Sequence, residues 1–317
     1  MSAMKPRLLQ NGRLSPALEK TLAEEFDTHP LWRESDPSAF LAQHGAEFVG
    51  LVTSAMVGAR APLIDVLPAL KVIASRGVGY DTIDIAAAQR RGIVVSNTPG
   101  VLTDCVADLA IGALIAVARA LPSADRFLRR GDWKRGRFPM QTKVSGKRLG
   151  VFGLGRIGRA IATRAAGFGL EIGYTDVKSQ SDVPYTFMPT LVELAGWCDF
   201  LVLSASAGPD TRKVVSAAVL DALGPQGFLV NAARGSLVDE AALVIALQDK
   251  RIAGAALDVY ENEPEVPEAL LALENVVLLP HISSSTRETF NAMEDLVLAN
   301  LRRFFKDGTL LTPVSTI

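Results

Sequence analysis

A glycine motif at the centre of the chain constrains its fold more than any other feature. The segment RLGVFGLGRIGRAIA, residues 148–162, places an apolar run before Gly153, Gly155 and Gly158, and an amphipathic stretch, Arg156–Phe168, after them. In a strand–turn–helix setting the first glycine permits a tight turn, the second lets the backbone approach a pyrophosphate, and the third lets helix and strand pack closely. Free N–H groups at the positive end of the helix then bind the phosphates. The motif therefore predicts a dinucleotide site.

Short apolar runs alternate with helical patterns on both sides of this motif. Strands are predicted at 46–54, 71–77 and 93–99, and helices at Ala61–Leu70 and from about Thr82 to Arg90. The alternation resumes at the motif and continues through EIGYTD, DFLVLSA, GFLVNAA, AGAALDVY and NVVLLPHI. Apolar strands separated by helices predict an α/β fold with parallel sheets covered on both faces.

A domain boundary is predicted near Thr98–Gly100. A strand ends there and a long helix, roughly Thr103–Ala120, begins, with Asp104 or Thr103 as its cap. A dinucleotide fold normally places its glycine loop after its first strand, yet here about 100 residues with their own alternating units come before the boundary. These residues predict a separate domain. The C-terminal helix, Arg287–Phe305, is followed by LLTPV, and the pattern leaves open to which of the two domains this segment returns.

The composition indicates a globular protein without a general basic field. The 317 residues carry a net charge of −1 and are 49% hydrophobic, so nucleic-acid partners are not expected. The longest apolar run, LAIGALIAVA, is too short to span a bilayer and predicts a buried helix. The N-terminal segment lacks the apolar block of a signal peptide. With two widely separated cysteines interpreted as structural thiols, these features predict a cytoplasmic location and no membrane partner.

Asp176 is the candidate that selects the cofactor. It ends the predicted strand EIGYTD, 18 residues after Gly158. An acidic side chain at this point accepts hydrogen bonds from the adenosine ribose and repels a 2′-phosphate. The position therefore favours NAD, with NADP as the alternative that the nearby Lys178 would support. The competing interpretation of Asp176 is a turn residue at the end of a strand.

Three polar side chains follow other predicted strands and are candidates for catalysis. Arg234 lies in NAARGSLVDE, Glu263 in DVYENEP, and His281 directly after VVLLP. Ligands of open α/β sheets bind at the carboxyl ends of strands, and arginine binds a carboxylate through two parallel bonds. The competing interpretations are a salt bridge of Arg234 to Asp239 or Glu240, a solvated loop charge at Glu263 and a structural histidine. His29 and His44 lie in polar segments and are predicted to be surface residues.

Four motifs in order, GLGRIG, NAARGSLVDE, DVYENEP and LLPHISSST, resemble the D-isomer-specific 2-hydroxyacid dehydrogenases. The resemblance covers nearly the whole chain and is greatest to the glyoxylate/hydroxypyruvate and hydroxyphenylpyruvate reductase branch. It implies reversible hydride transfer between a nicotinamide cofactor and a D-2-hydroxy acid or 2-oxo acid, with reduction of glyoxylate or hydroxypyruvate expected. The alternatives are a dehydrogenase for another small acid, such as formate or phosphite, and an NAD(H)-sensing scaffold or corepressor on the same fold.

The resemblance also implies roles for individual residues. Arg234 matches the arginine that binds the substrate, Glu263 the acid paired with the histidine, and His281 the proton donor, which also contacts the substrate. The backbone N–H groups at Val78 and Gly79 match a loop that holds the substrate carboxylate. Besides Asp176 and the glycines, the residues assigned to the cofactor are Arg156, Ile157, Ala232, Ala233, Asp258 and Ser283. No metal is expected.

The resemblance implies a discontinuous arrangement of two doubly wound parallel-sheet domains. Residues 1–98 and 287–317 would form a flavodoxin-like substrate domain, and 99–286 an inserted Rossmann domain that binds NAD. The site would lie in the cleft between the domains. A homodimer is expected through residues 100–145.

Three segments depart from the family pattern. Ala205 and Ser206 replace a segment that often contains proline, and Ser283 with Ser284 follows His281 where glycine is common. Val177 stands where the reductase branch commonly has an arginine for NADP, which again favours NAD.

Overall fold

The structure, a computed structural model, describes residues 5–314. Within these residues the strands are β1 (Arg7–Gln10), β2 (Asp27–Pro30), β3 (Gly50–Ser54), β4 (Val72–Arg76), β5 (Val94–Ser96), β6 (Arg148–Phe152), β7 (Glu171–Thr175), β8 (Thr186–Phe187), β9 (Phe200–Leu203), β10 (Phe228–Asn231), β11 (Gly254–Leu257) and β12 (Val276–Leu278). The helices are α1 (Pro16–Glu25), α2 (Pro37–His44), α3 (Ala61–Asp65), α4 (Ile85–Arg90), α5 (Thr103–Ala118), α6 (Leu121–Arg129), α7 (Arg156–Ala166), α8 (Leu191–Trp197), α9 (Ala217–Leu223), α10 (Glu240–Gln248), α11 (Glu268–Leu271) and α12 (Arg287–Asp307).

The chain divides into two compact units. Unit 1 combines the described residues up to Leu102 with those from Thr286 onward, and unit 2 is Thr103–Ser285. The sheet of unit 1 has the order β2-β1-β3-β4-β5, with all strands parallel. This is the strand order of flavodoxin-type sheets. Apolar clusters lie on both faces, one built around α3 and α4 and the other around α1 and α12.

Unit 2 is a parallel sheet with the order β12-β11-β10-β9-β6-β7-β8. Its first strand, β6, lies between β7 and β9, so the strand order reverses at β6, as in doubly wound dinucleotide folds. Helices α5 and α7 pack on one face, and α8, α9 and α10 contribute to the apolar core on the other. The predicted fold class, two parallel-sheet α/β domains, is confirmed.

The C-terminal segment, whose partner the sequence pattern left open, returns to unit 1. The Val314 N–H donates to the Val95 carbonyl oxygen at 2.8 Å, and Pro313 forms an antiparallel bridge with Ser96. The segment therefore extends the edge of the sheet at β5.

Several helix boundaries differ from the predicted ones for local reasons. Helix α3 ends at Asp65 rather than Leu70, because the residue before Pro68 is disfavoured in helical geometry. Helix α4 begins at Ile85, after Asp84, whose side chain accepts the Ala87 N–H at 2.8 Å.

Helix α5 already includes both residues predicted to cap it. It begins at Thr103, so Thr103 and Asp104 lie in its first turn rather than before it. The Asp104 carboxylate instead binds the Arg164 guanidinium of α7 at 2.9 Å. Helix α7 ends at Ala166, before Gly167, rather than at Phe168.

The long apolar run lies within α5. Half of this helix is buried, including Ala110, Ile111 and Leu114, as predicted. Among the described residues, no individual helix has the length and apolar character needed to cross a membrane; α5 and α6 meet that test only together, with a 57° bend between them. Cys198 is buried, which raises its thiol pKa to about 12, and Cys105 is half-buried; neither of these two cysteines is part of a disulfide.

Candidate active site

The glycine loop between β6 and α7 is closely packed at two of its three glycines. Gly153 has a φ of +90°, and a Cβ there would lie 2.6 Å from the Ala205 Cα. A Cβ on Gly158 would lie 2.1 Å from the Gly153 carbonyl oxygen, so α7 approaches the strand this closely only with glycine at that position. Gly155 differs, because nothing lies within 4 Å of a Cβ built there. The loop therefore leaves open space at its middle glycine.

The N-terminus of α7 adds hydrogen-bond donors to this open space. The helix begins at Arg156, with Gly155 before it and no side chain capping it. The first N–H groups of a helix, here those of Arg156, Ile157 and Gly158, have no intrahelical acceptor. Open space over a glycine beside such donors fits the pyrophosphate of a nicotinamide dinucleotide.

Asp176 lies against the glycine loop, directly after β7. Its Oδ2 accepts the Leu154 N–H at 2.8 Å, and its Oδ1 accepts the Val177 N–H at 2.7 Å. The second bond is that of a turn residue at a strand end, and the first connects the carboxylate to the glycine loop. The interpretation of Asp176 as a turn residue therefore describes part of its environment, and its contact with a ribose stays a prediction.

The candidate catalytic residues follow three neighbouring strands. In the register of β10, β11 and β12, Asn231 pairs with Leu257 and Leu257 with Leu278. Arg234 follows β10, Glu263 follows β11 and His281 follows β12. Because parallel neighbours end at the same edge of the sheet, the three side chains start from adjacent positions.

His281 and Glu263 form a hydrogen-bonded pair. The His281 Nδ1 lies 2.7 Å from the Glu263 Oε2, and the Glu263 Oε1 accepts the Tyr260 N–H at 3.0 Å. Their side chains are 23% and 24% exposed, so both are partly withdrawn from solvent. Since Nδ1 faces the carboxylate, Nε2 is the ring nitrogen left to address a substrate. Glu263 is thus a histidine partner and not a solvated loop charge.

The pKa of Glu263 is lowered from its ordinary value of 4.5. Burial raises this pKa, but the hydrogen bond and charge of His281, the Tyr260 N–H and the Arg234 guanidinium together outweigh burial. The carboxylate therefore stays ionised at neutral pH.

Glu263→Gln is expected to lower the free energy of unfolding by about 1 kcal/mol near neutral pH, because a hydrogen bond to a charged group is weakened. A carboxylate whose pKa is lowered on folding stabilises the protein above its ordinary pKa and stops doing so as the pH falls through the folded value. The difference in Tm between wild type and variant should therefore be full near neutral pH and shrink below 4.5. Thermal melting across this range measures it. A difference that does not change with pH would contradict the assignment.

Asp258 fixes the backbone that follows His281. It is 2% exposed, its Oδ1 accepts the Ile282 N–H at 2.7 Å, and its Oδ2 accepts the Ser283 N–H at 2.8 Å. These two bonds hold the loop in which His281 has a φ of +54°. From the sequence, Asp258 and Ser283 were assigned to the cofactor, and this role of Asp258 in positioning the histidine was not predicted. That cofactor assignment stays a prediction.

Tyr260 connects the loops that carry the three candidates. Its hydroxyl donates to the Leu279 carbonyl oxygen at 3.0 Å, and burial raises its pKa to about 12. A Cβ on Gly235 would lie 1.9 Å from the Tyr260 carbonyl carbon, so the loop after Arg234 packs directly on the Tyr260 backbone. The sequence analysis did not single out Tyr260, although its place in DVYENEP, between a buried strand and Glu263, was a usable signal.

The Arg234 loop is held by Asn231, the last residue of β10. The Asn231 side chain donates to the Arg234 carbonyl oxygen at 2.9 Å and accepts the Ala233 N–H at 3.1 Å. Ala232 is buried and Ala233 partly buried in the same turn. Asp239, which the competing interpretation pairs with Arg234, accepts the Ala242 N–H and caps α10. The Asn231 side chain thus orders the backbone of the loop that carries Arg234.

Val78 and Gly79, which were predicted to bind the substrate, belong to unit 1. Val78 and Gly79 follow β4, where the Asn97 side chain donates to the Val78 carbonyl oxygen at 2.8 Å and the Thr98 hydroxyl accepts the Gly77 N–H at 2.9 Å. The sequence analysis missed this support from Asn97 and Thr98. The other two histidines are also in unit 1. Both are half-buried. The His29 ring stacks on Phe40 with centroids 4.2 Å apart, and the His44 ring is tilted by 34° to Phe40 with centroids 4.9 Å apart.

The fold and these residues define a class of protein. A doubly wound sheet with a dinucleotide-type glycine loop after β6, and a histidine–carboxylate pair and an arginine after the ends of β10–β12, define an NAD(P)-dependent oxidoreductase. Residues 111–283 match the family model described as D-isomer specific 2-hydroxyacid dehydrogenase, NAD binding domain.

Known proteins resemble the chain over nearly its full length. Glyoxylate/hydroxypyruvate reductase A of Arabidopsis thaliana is 48% identical over 95% of this chain and 96% of its own length. Hydroxyphenylpyruvate reductase of Plectranthus scutellarioides is 46% identical with the same coverage of both chains. The solved structure of an NADPH-dependent glyoxylate/hydroxypyruvate reductase from Sinorhizobium meliloti, in complex with NADP and malonate, is 45% identical, has a TM-score of 0.91, and covers 98% of this chain and 97% of that one. The chain belongs to the D-isomer specific 2-hydroxyacid dehydrogenase family, as its motifs predicted.

Proposed function

We propose that the protein reduces glyoxylate or hydroxypyruvate to the corresponding D-2-hydroxy acid, or to the achiral glycolate, in a reversible reaction. The observation that carries the proposal is the 2.7 Å contact of His281 with Glu263, which follows the strand next to the one that precedes Arg234. The names of the relatives support this substrate class. Neither a scaffold nor a dehydrogenase for formate or phosphite is favoured by these relatives.

Each of the three residues has a distinct task in this reaction. Arg234 binds the substrate carboxylate through its guanidinium and orients the neighbouring carbonyl group. The nicotinamide, when bound, supplies a hydride to the carbonyl carbon or accepts it in the reverse direction. His281 donates a proton from Nε2 to the carbonyl oxygen as negative charge develops there.

Glu263 and Asp258 position the proton donor. Glu263 accepts from the His281 Nδ1 and so orients the ring with Nε2 toward the substrate, while Asp258 fixes the following backbone. Val78 and Gly79 are proposed to donate backbone N–H groups to the carboxylate. The ordered loop around them, fixed by Asn97 and Thr98, supports this assignment.

The test is a substrate scan with the purified protein. NADH oxidation is followed with glyoxylate, hydroxypyruvate, pyruvate and hydroxyphenylpyruvate, and the reverse reaction with both enantiomers of glycerate. We expect the highest kcat/KM with glyoxylate or hydroxypyruvate, and oxidation of the D-enantiomer alone. Binding of NADH without oxidation by any of these acids would instead favour the sensing scaffold.

NADH is the proposed cofactor of choice, with NADPH accepted less well. The Asp176 carboxylate beside the glycine loop supports this preference, because it repels a 2′-phosphate. The Sinorhizobium meliloti relative is described as NADPH-dependent, so the two proteins are expected to differ in this respect. The ratio of kcat/KM for NADH and NADPH with one saturating acid tests the preference.

A homodimer formed through residues 100–145 is proposed for the assembly. Helix α6 contributes no buried residue, and Leu128, Trp133 and Met140 are 56%, 67% and 100% exposed. Apolar side chains exposed together mark an interaction surface, and a second copy of the chain is the proposed occupant. Sedimentation at twice the mass of one chain is expected, and a monomer would contradict it.

A cytoplasmic location is proposed. Cys105 and Cys198 form no disulfide, which is consistent with a reducing compartment.

A further inference from the structure

The loop that follows β7 is fastened to the glycine loop by the side chain of Gln180. Residues 176–182, termed here the Asp176 loop, begin at the carboxylate discussed above. The Gln180 Nε2 donates to the Asp176 Oδ2 at 3.1 Å and to the Leu154 carbonyl oxygen at 3.2 Å. One side-chain amide thus joins the carboxylate and the phosphate-binding loop.

Gln180 is itself held from the opposite side. Its Oε1 accepts a hydrogen bond from the Arg159 guanidinium, and its backbone N–H donates to the Tyr174 hydroxyl at 2.7 Å. Tyr174 is fully buried, and Arg159 binds both oxygens of Asp182 at 2.8 Å. These contacts fix the amide in one orientation, with its NH₂ group toward Asp176.

The hydrogen bonds of Asp176 leave one acceptor position of its carboxylate, on Oδ1, without a donor. Its Oδ2 accepts from the Leu154 N–H and the Gln180 amide, and its Oδ1 accepts from the Val177 N–H. A carboxylate offers about four acceptor positions, so three are accounted for and Oδ1 keeps one. The carboxylate therefore cannot turn away from the glycine loop without losing bonds on both oxygens.

We infer that Gln180 is a specificity-determining residue that acts through Asp176, an inference that rests on the proposed function. By holding the carboxylate in place, Gln180 keeps its negative charge where the 2′-phosphate of NADPH would lie and its free acceptor where the 2′-hydroxyl of NADH would lie. Without the amide, Asp176 is free to rotate outward. Lys178, exposed on the same loop, then faces the phosphate with less opposing charge.

The test is direct binding of NADH and NADPH to the purified protein, measured by calorimetry. Gln180→Ala removes the amide, and Gln180→Met keeps the side-chain volume but offers no hydrogen bond. For both variants we expect the ratio of the Kd for NADPH to the Kd for NADH to fall by about five- to tenfold, the value of one ordinary hydrogen bond. Ser181→Ala, an exposed position of the same loop, is the matched control and should leave the ratio unchanged.

A double variant separates action through Asp176 from a direct effect. Asp176→Ala alone should lower the ratio at least as far as Gln180→Ala. Adding Gln180→Ala to Asp176→Ala should then change it by less than about twofold, since the two side chains act as one unit. An unchanged ratio in Gln180→Ala and Gln180→Met, or an equal further fall in the Asp176→Ala background, would overturn the inference.

The readout is independent of turnover. Failure of the proposed function appears as NADH binding with no acid reduced, whereas failure of this inference appears as an unaltered binding ratio in variants that still bind NADH. Thermal melting of each variant confirms that the ratio is measured on folded protein.

Discussion

Replacing His281 by alanine is expected to lower kcat for the 2-oxo acid by at least about 10²-fold, the loss typical of a missing general acid. The His281 Nδ1 is engaged by Glu263, which leaves Nε2 to donate the proton. Without the imidazole, the charge that develops on the carbonyl oxygen has no donor in place to neutralise it. The glycine loop, to which binding of the dinucleotide is assigned, is unaltered, so the Kd for NADH should stay near the wild-type value.

Steady-state kinetics and NADH titration of the same preparation measure both quantities. His44→Ala is the matched control, because His44 also pairs with a glutamate, Glu47, at 2.8 Å but belongs to unit 1. It should retain wild-type kcat. Near-normal turnover of His281→Ala would remove His281 from the role of proton donor, and a parallel loss of NADH affinity would indicate that it binds cofactor instead.

The glycine loop was predictable because its constraints are local and steric. The positive φ at Gly153 and the close approach at Gly158 exclude side chains whatever the rest of the fold does. The spacing of three glycines after an apolar run carries that information directly. Arg234, Glu263 and His281 were predictable for a different reason. A polar residue after a buried strand lies at the carboxyl edge of a parallel sheet.

The supporting contacts were not predictable from local pattern. Asp258 binds two N–H groups more than twenty residues further along the chain, and Gln180 binds a carbonyl group in the glycine loop. Both contacts depend on which backbone groups two loops bring together, and that is set by the tertiary fold. A polar residue in a loop has the same local signature whether or not it makes such a bond.

Short edge strands were missed for a related reason. Strand β2 has the sequence DTHP and is half-buried at most, and β8 has two residues. Neither shows the apolar run from which strands were predicted in the interior of the sheets. The pairing of β2 with β1 is made by backbone groups, which every sequence provides. Strand β1, RLLQ, is largely buried and was missed as well, because its two apolar residues are too short a run to mark a strand.

Arg234→Lys is expected to lower kcat/KM for the 2-oxo acid by about 10²-fold, mainly through a higher KM. Lysine keeps the positive charge but lacks the planar fork that binds a carboxylate through two parallel hydrogen bonds. The Arg234 loop itself should stay ordered, because Asn231 holds it through backbone atoms that the substitution leaves in place. The loss should therefore come from the guanidinium and not from a displaced loop.

Arg212→Lys is the matched control. Arg212 binds Glu261 at 3.2 Å on the same unit, is largely exposed and is not assigned to the substrate, so its replacement should leave kcat/KM unchanged. The decisive comparison for Arg234→Lys is between its KM for glyoxylate and its Kd for NADH. A raised KM for glyoxylate with an unchanged Kd for NADH assigns the guanidinium to the substrate carboxylate. The reverse pattern, an unchanged KM and a weakened Kd, would assign it to the cofactor, and the three-residue mechanism would then lack its substrate anchor.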